Sequence, residues 1–209
     1  MRKCLIEPHY LPSMAFYKLI SEYDEVVIDV ESKFVKQTYR NRCKVLFSNK
    51  VGQLVIPISH STLGTTINDV EIDYSEKWNK VHWKSIESAY GKTPFFEHYS
   101  PYYERLFQAP SGNLVTFLVK LLKLNMKMLG WSQSVVLSAE AVDKEGCEDL
   151  RNKVHSKKSK FEYQSNKYHQ AFGDAYVSNL SIIDTLFNVG NETAGIIKSS
   201  ELSLNVMDK

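Results

Sequence analysis

The chain lacks the short motifs that announce the commoner enzyme chemistries. Its 209 residues hold no GxxxxGK[ST] phosphate loop, no GxGxxG dinucleotide turn, no GxSxG nucleophile elbow and no HExxH zinc helix. A P-loop kinase, a dehydrogenase of the usual sort, an α/β-hydrolase and a zincin are therefore unsupported. Cysteine is scarce: Cys4, Cys43 and Cys147 are odd in number, far apart and never in CxxC spacing. That argues against a disulfide framework and against a metal site of the zinc type, and reduced thiols fit the cytosol. No apolar run approaches the ~18 residues of a membrane span, because Lys120, Lys123, Asn125 and Lys127 interrupt the longest one, Leu114 to Leu129. The start, Met1-Arg-Lys-Cys-Leu-Ile-Glu-Pro8, has no apolar core of its own, so no signal peptide is expected. Excess charge is also missing. A net charge of +2 is too small for a whole-molecule nucleic-acid footprint, so nucleic acid is not the expected partner and any anion site must be local.

What is present suits one α/β domain. The apolar fraction is 43% and the aromatic fraction 12%, enough for a real core. Cys4-Leu-Ile6 reads as a strand, Pro12 and Ser13 as a helix start, and Phe16, Leu19, Ile20 and Tyr23 as one face of that helix. Glu25-Val-Val-Ile-Asp-Val30 is a second strand. Strand, helix and strand within about thirty residues make a βαβ unit and favour a parallel sheet. Alternation predicts one long strand or two over Phe34–Phe47, a turn at Asn49–Gly52, a strand at Gln53–Ile58 and a short strand at Asp69–Tyr74. Helices are expected after Ser75, over Phe95–Phe107, after the Asn113 cap and after the Asn179 cap, with a strand at Val135–Leu137. Residues 139–166 are charged and read as a surface excursion or lid, including the basic run 155–160. The domain is expected to span 1–198, with 199–209 a loosely ordered tail.

Three places carry chemistry. In open α/β sheets ligands sit outside the carboxyl ends of strands. The loop Glu7-Pro-His-Tyr-Leu-Pro12 follows the first strand, and there Glu7 and His9 could form an acid/base pair. The plainer reading is a turn stiffened by two prolines. Phe34-Val-Lys-Gln-Thr-Tyr-Arg-Asn-Arg-Cys43 puts long polar groups on both faces of an expected strand. Lys36, Arg40 and Arg42 share one face, where two arginines at i and i+2 can grip a phosphate or carboxylate; Gln37, Tyr39 and Asn41 take the other. The plainer reading is a solvated basic face. The third place joins His169 and Gln170 to Asn179, Ser181 and Asp184, where a helix start could hold phosphate and Asp184 lies one turn on. An ordinary cap explains Asn179 and Ser181 but not Asp184. The helix face Trp78, His82, Trp83 and Tyr90 reads as core.

These segments resemble the WbqC-like family, its Bacteroidetes-type branch in particular. The resemblance is carried by Tyr10-Leu-Pro12, Phe34-Val-Lys-Gln-Thr-Tyr-Arg-Asn-Arg-Cys43, Val70-Glu-Ile-Asp73, Trp78 to His82, Ala89-Tyr90 with Thr93-Pro-Phe-Phe-Glu97, and Asn179-Leu-Ser-Ile-Ile-Asp-Thr-Leu-Phe-Asn188, in family order. The broader family's first loop reads His-Gln-Pro-Asn-Tyr-Leu-Pro, whereas Ile6-Glu-Pro-His-Tyr-Leu-Pro12 stands here, so no role of that family histidine is carried over to Ile6. The resemblance implies a bacterial, cytosolic protein of a surface-polysaccharide (O-antigen) gene cluster, with a transferase role in sugar or amino-sugar modification.

The expectation is thus a single α/β domain, Rossmann-like, with a parallel or mixed sheet and helices on both faces. Its substrate would be a phosphate-bearing small molecule such as a nucleotide sugar. Lys36, Arg40 and Arg42 would neutralise phosphate, Gln37, Tyr39 and Asn41 would orient the acceptor, and Glu7, His9 or Asp184 would be the base. No residue pattern names a cofactor or an oligomeric state. The alternative is a non-catalytic scaffold with an exposed aromatic surface around Trp83 and Tyr99–Tyr103; an RNA-binding basic strand comes third.

Overall fold

The structure, a computed structural model, describes residues 1–204 other than Asn49, Leu63, 142–145, 156–160 and Asp174. The chain opens as a βαβ unit: β1 (Lys3–Ile6), α1 (Met14–Ile20) and β2 (Glu25–Ile28). β1 and β2 pair in parallel, Lys3 opposite Glu25 and Ile6 opposite Ile28. Two later strands extend this pair. β5 (Ser134–Leu137) lies parallel beside β2, and β6 (Cys147–Asp149) lies parallel beside β1, giving the order β5-β2-β1-β6. The connection from β1 leads toward β5 and the one into β6 returns to the far side of β1. A crevice is expected where such a sheet changes direction.

The rest surrounds the sheet. β3 (Arg42–Leu46) and β4 (Val51–Val55) form an antiparallel hairpin, and β7 (Phe161–Gln164) pairs antiparallel with β8 (Glu201–Leu204). The helices are α2 (Trp78–Tyr90), α3 (Phe96–Gln108), α4 (Leu114–Met128), α5 (Ile182–Val189) and α6 (Thr193–Ser199). The parallel four-stranded sheet, flanked by helices, makes this the single α/β domain that the opening unit implies. None of the described helices is long and apolar enough to cross a membrane.

Aromatic side chains weld α2, α3, α4 and α5 together. Trp78 meets Phe117 edge-on at 5.6 Å, and Phe187 meets Phe96 at 5.1 Å and Tyr103 at 5.6 Å. Tyr90, Tyr103, Phe107, Phe117 and Phe187 are almost wholly buried, each burial worth about 1.5–3 kcal/mol. The Asn113 side chain caps α4 by accepting from the Thr116 amide.

Several expected elements differ. Only Arg42–Leu46 of the stretch 34–47 is a strand, and residues 36–41 are turns. Thr38 closes that turn by donating to the Val35 carbonyl at 2.8 Å, and Gln37 adopts φ +61°. Asp69–Tyr74 is not a strand; a 3₁₀ turn covers Ile67–Asp69, followed by isolated bridges at Glu71 and Ile72. The hairpin turn falls earlier than expected, the Phe47 amide donating to the Lys50 carbonyl at 3.0 Å; Asn49, placed in the expected turn, lies outside the described residues. Lys77, not Ser75, precedes α2, because the Asp73 carboxylate holds the Ser75 amide in a local turn at 2.8 Å. Within 139–166 the chain forms β6 and β7, while 156–160 of the basic run lie outside the described residues. Glu201–Leu204, at the start of the expected tail, pair with β7, and 205–209 are likewise outside the described residues.

Candidate functional site

The parallel strands end together, and the residues that follow them build a charged cluster. Glu7 follows β1 and is 2% exposed. Asn152, in the turn that leaves β6 and three residues past Asp149, has φ +60°. That conformation directs its backbone N–H to both Glu7 oxygens, at 3.2 and 3.0 Å. The Glu7 Oε1 lies 3.5 Å from His9 Nε2. Burial alone would raise the Glu7 pKa, but His9, Arg40 and the Asn152 amide outweigh it and hold the carboxyl down at about 2. Glu7 is thus a fixed anion at neutral pH. His9 is 3% exposed, sits between the rings of Phe16 (4.8 Å) and Tyr39 (5.3 Å), and its Nδ1 has no hydrogen-bond partner among the described residues.

Asp29 follows β2 and is 3% exposed. Its Oδ1 accepts the amides of Glu31 and Ser32, both at 3.1 Å, and its Oδ2 accepts the Ser32 hydroxyl and Arg151 Nη1. Burial acts to raise its pKa; Ser32, Arg151 and the two amides overcome this and hold it below the usual range. Arg151, just past β6, grips Asp149 with two parallel bonds at 2.9 and 2.7 Å and reaches Asp29 at 3.1 Å, the fork geometry that makes such pairs strong. Ser138, after β5, donates to Glu31 at 2.8 Å and accepts the Val30 amide at 3.2 Å.

Arg40 completes the cluster from the turn before β3. It is 4% exposed, and its Nε has no hydrogen-bond partner among the described residues. Burial lowers its pKa, and the nearby carboxylates of Glu7 and Asp29 oppose the shift. A buried guanidinium that feels two carboxylates yet leaves its Nε unpartnered among the described residues is costly to desolvate. Among the described residues no cluster of three or more metal-ligating side chains occurs.

The other predicted residues fall elsewhere. Tyr39 is buried against His9, and its carbonyl accepts the Tyr10 amide at 2.8 Å. Arg42 does not share a strand face with Arg40, because Arg40 lies in a turn; Arg42 instead reaches Gln53 across the hairpin at 3.4 Å. Asn41 donates to the Ile56 carbonyl at 3.0 Å and accepts the Ile56 amide on its own carbonyl at 2.8 Å, closing the hairpin's open end. Lys36 and Gln37 are exposed at the loop tip.

The late segment forms a separate group. Asn179 does not cap α5: its Oδ1 accepts the Ala15 amide at 2.9 Å and so caps α1 from the far end of the chain. The first amides of α1 are therefore taken by Asn179 and by the Leu180 carbonyl and are not free for an anion. Ser181 precedes α5 at 1% exposure, pairs with Ser13 in a bridge, and leaves its hydroxyl without a partner among the described residues. Asp184 has no exposed surface; Tyr168 and Gln170 donate to its Oδ2 at 2.7 and 2.9 Å, and burial raises its pKa despite them. Gln170 also clasps both backbone groups of Val177 at 2.9 Å, while His169 is exposed. The structure thus gathers Glu7, His9, Tyr39 and Arg40 in one place, and Gln170 and Asp184 in another.

Sequence reasoning missed Asp29, Asp149, Arg151 and Asn152. Asp29 carried a signal, since it directly follows the second strand of the βαβ unit. Of the aromatic surface expected of a scaffold, Tyr102 is exposed and Trp83 is half-buried, stacked on Phe96, while Tyr99 and Tyr103 are buried at 5% and 1% exposure.

Fold and site define an α/β protein with a buried charged centre at the carboxyl ends of parallel strands. The chain belongs to the WbqC-like protein family, whose model matches residues 7–160 and 151–196. It is similar to "Uncharacterized protein Rv1507c" of Mycobacterium tuberculosis (strain ATCC 25618 / H37Rv), at 21% identity over 223 aligned residues covering 93% of this chain and 96% of that protein. No solved structure matches it.

Proposed function

We propose that this protein is a transferase that binds a phosphate-bearing metabolite, a nucleotide sugar being the leading example, and acts in surface-polysaccharide or amino-sugar modification. The observation that carries the reading is the Arg40 guanidinium, buried, its Nε without a partner among the described residues, near the Glu7–His9 pair. In this reading Arg40 takes the charge of the donor's phosphate, worth most in a dry site. Asp29 is already engaged by Ser32 and Arg151, and Glu7 by the Asn152 amide, so neither competes for an acceptor proton. His9 is the base: Glu7 orients the ring through Nε2 and stabilises the imidazolium, and Nδ1 takes the proton of the acceptor hydroxyl or amine. The acceptor's lone pair forms the new bond to the transferred group, and the bond to the donor's phosphate oxygen breaks toward Arg40. Asp184, sealed beneath Tyr168 and Gln170, positions the late segment and does not act as base.

The test is a thermal-shift and calorimetric screen of nucleotides and nucleotide sugars on the wild type, Arg40→Lys and Arg40→Ala. The wild type should be stabilised by one class, by about 2.7 kcal/mol at a hundred times Kd, with the shift reduced in Arg40→Lys and lost in Arg40→Ala. A cooperatively melting wild type that no compound shifts would overturn the reading. So would an unchanged shift in a cooperatively melting Arg40→Ala protein.

A further inference from the structure

At the amino-terminal end of the sheet, away from Glu7 and Arg40, three adjoining depressions meet at Trp131 and Gln133. One of about 540 Å³ runs between α1 and α6 past Lys18 and Lys198. One of about 330 Å³ runs along α4 past Lys123 and Lys127. One of about 460 Å³ lies over the turn before β2. These are the sizes of small-ligand sites. The backbone fixes the indole between them. Gly130 at φ +69° ends α4; its amide bonds to the Lys127 carbonyl at 3.1 Å, and the Trp131 amide bonds to Met126 at 2.9 Å. This helix-ending motif holds Trp131 in place, with its ring edge-on to Tyr17 at 5.9 Å.

We propose that this groove binds a mononucleotide, the base stacking on Trp131 and the phosphate held by lysines. An indole that lines a depression on each side offers its surface to a planar ring. Gln133 borders all three depressions, and its Oε1 is turned inward with no donor among the described residues. Rotation of the amide toward the groove lets that oxygen accept from a base amino group, which a plain hydrocarbon ring cannot supply. Lys18, Lys123, Lys127 and Lys198 form no ion pair among the described residues, although the Lys18 ammonium donates to the Lys198 carbonyl at 2.9 Å and the Lys127 ammonium lies 6.0 Å over the Tyr102 ring; of the neighbouring acids, Glu22 is paired with the Arg2 side chain at 3.1 Å, while Asp24 accepts the neutral Arg2 amide at 2.7 Å and keeps its charge. The surplus is cationic and favours a phosphate. Gly195 on α6 borders the same space, and a Cβ built there meets nothing within 4 Å, so the groove stays open on that side.

The experiment uses full-length Arg40→Ala, so that the centre at the strand ends is silenced. Adenosine, cytidine, guanosine and uridine monophosphates are titrated by calorimetry and tryptophan fluorescence, with inorganic phosphate as the baseless control. One nucleotide bearing a base amino group should bind and quench fluorescence. Trp131→Leu, Gln133→Leu and Gly195→Leu should each weaken it tenfold or more, Lys123→Ala/Lys127→Ala should weaken it and flatten its salt dependence, and phosphate should not compete at equal concentration. The proposal is overturned if no nucleotide binds cooperatively melting Arg40→Ala protein, if phosphate competes equally, or if Trp131→Leu and Gln133→Leu bind as before. Failure of the Arg40-dependent reading would leave these outcomes unchanged, because they are read with Arg40 absent.

Discussion

Lowering the pH from 7 toward 4 should destabilise this protein through one imidazole. His82, on α2, is 6% exposed. Its Nδ1 lies 2.9 Å from the Tyr10 hydroxyl, its ring is edge-on to Trp78 at 5.1 Å, and it makes a backbone hydrogen bond to Val55 of β4. Burial pushes its pKa from 6.5 down to about 4, the Val55 bond opposing. The unfolded chain binds a proton here below about 6.5, but the folded one does not until about 4. Stability from this group is therefore fully present above pH 6.5, falls as pH falls through that window, and loses nothing further below about 4. The difference between the two pKa values is equivalent to about 3 kcal/mol, a large share of the 5–15 kcal/mol that holds a typical domain. Urea denaturation from pH 7.5 to 4 at fixed ionic strength would measure it, wild type against His82→Gln, whose amide keeps a donor and an acceptor but does not titrate. The difference in unfolding free energy between the two should change by about 3 kcal/mol across the window. If it changes by less than about 0.5 kcal/mol, the neutral, buried imidazole is wrong.

Glu7 should lose its contribution lower down. Its folded pKa of about 2 lies under the ordinary 4.5, so stability present above 4.5 falls toward pH 2; Glu7→Gln should cost about 3 kcal/mol at pH 7 and abolish that acid limb of the urea curve. Asp184→Asn should leave stability at pH 7 unchanged within about 1 kcal/mol or raise it, since the raised pKa marks a carboxylate that burial penalises; a loss above that in urea denaturation would show that the charge itself is needed. Gly190→Ala should lower Tm by roughly 5–10 °C in a thermal melt, about 2–3 kcal/mol. Gly190 ends α5 at φ +62°, and an added Cβ would lie 2.6 Å from two carbons of the Phe95 ring.

Legibility in the sequence followed contact distance. The unit β1-α1-β2 could be read because an apolar run, a helical face and a β-branched run occur within thirty residues of one another, and the Asn113 cap because its partner is three residues away. Phe34–Arg42 misled because its alternation has strand period, while the real conformation is a turn pinned by Thr38 and docked on Tyr10. β6 carries no pattern at all: Cys147-Glu-Asp149 becomes a strand only because β1, more than 140 residues earlier, offers it an edge. The site repeats the point. Glu7, His9 and Arg40 stand out by residue type in the sequence, but the amide that anchors Glu7 comes from 145 residues away, and Arg151 reaches Asp29 across 122. Asn179 has the residue type and position of a local cap, yet it caps a helix 164 residues back. A site at strand ends is assembled from the turns leaving each strand, and a turn has too few residues to show a period. Its residue types can be singled out in sequence, but which carboxylate meets which guanidinium depends on strand order, and here strand order was set by β6, the element with the weakest local signal.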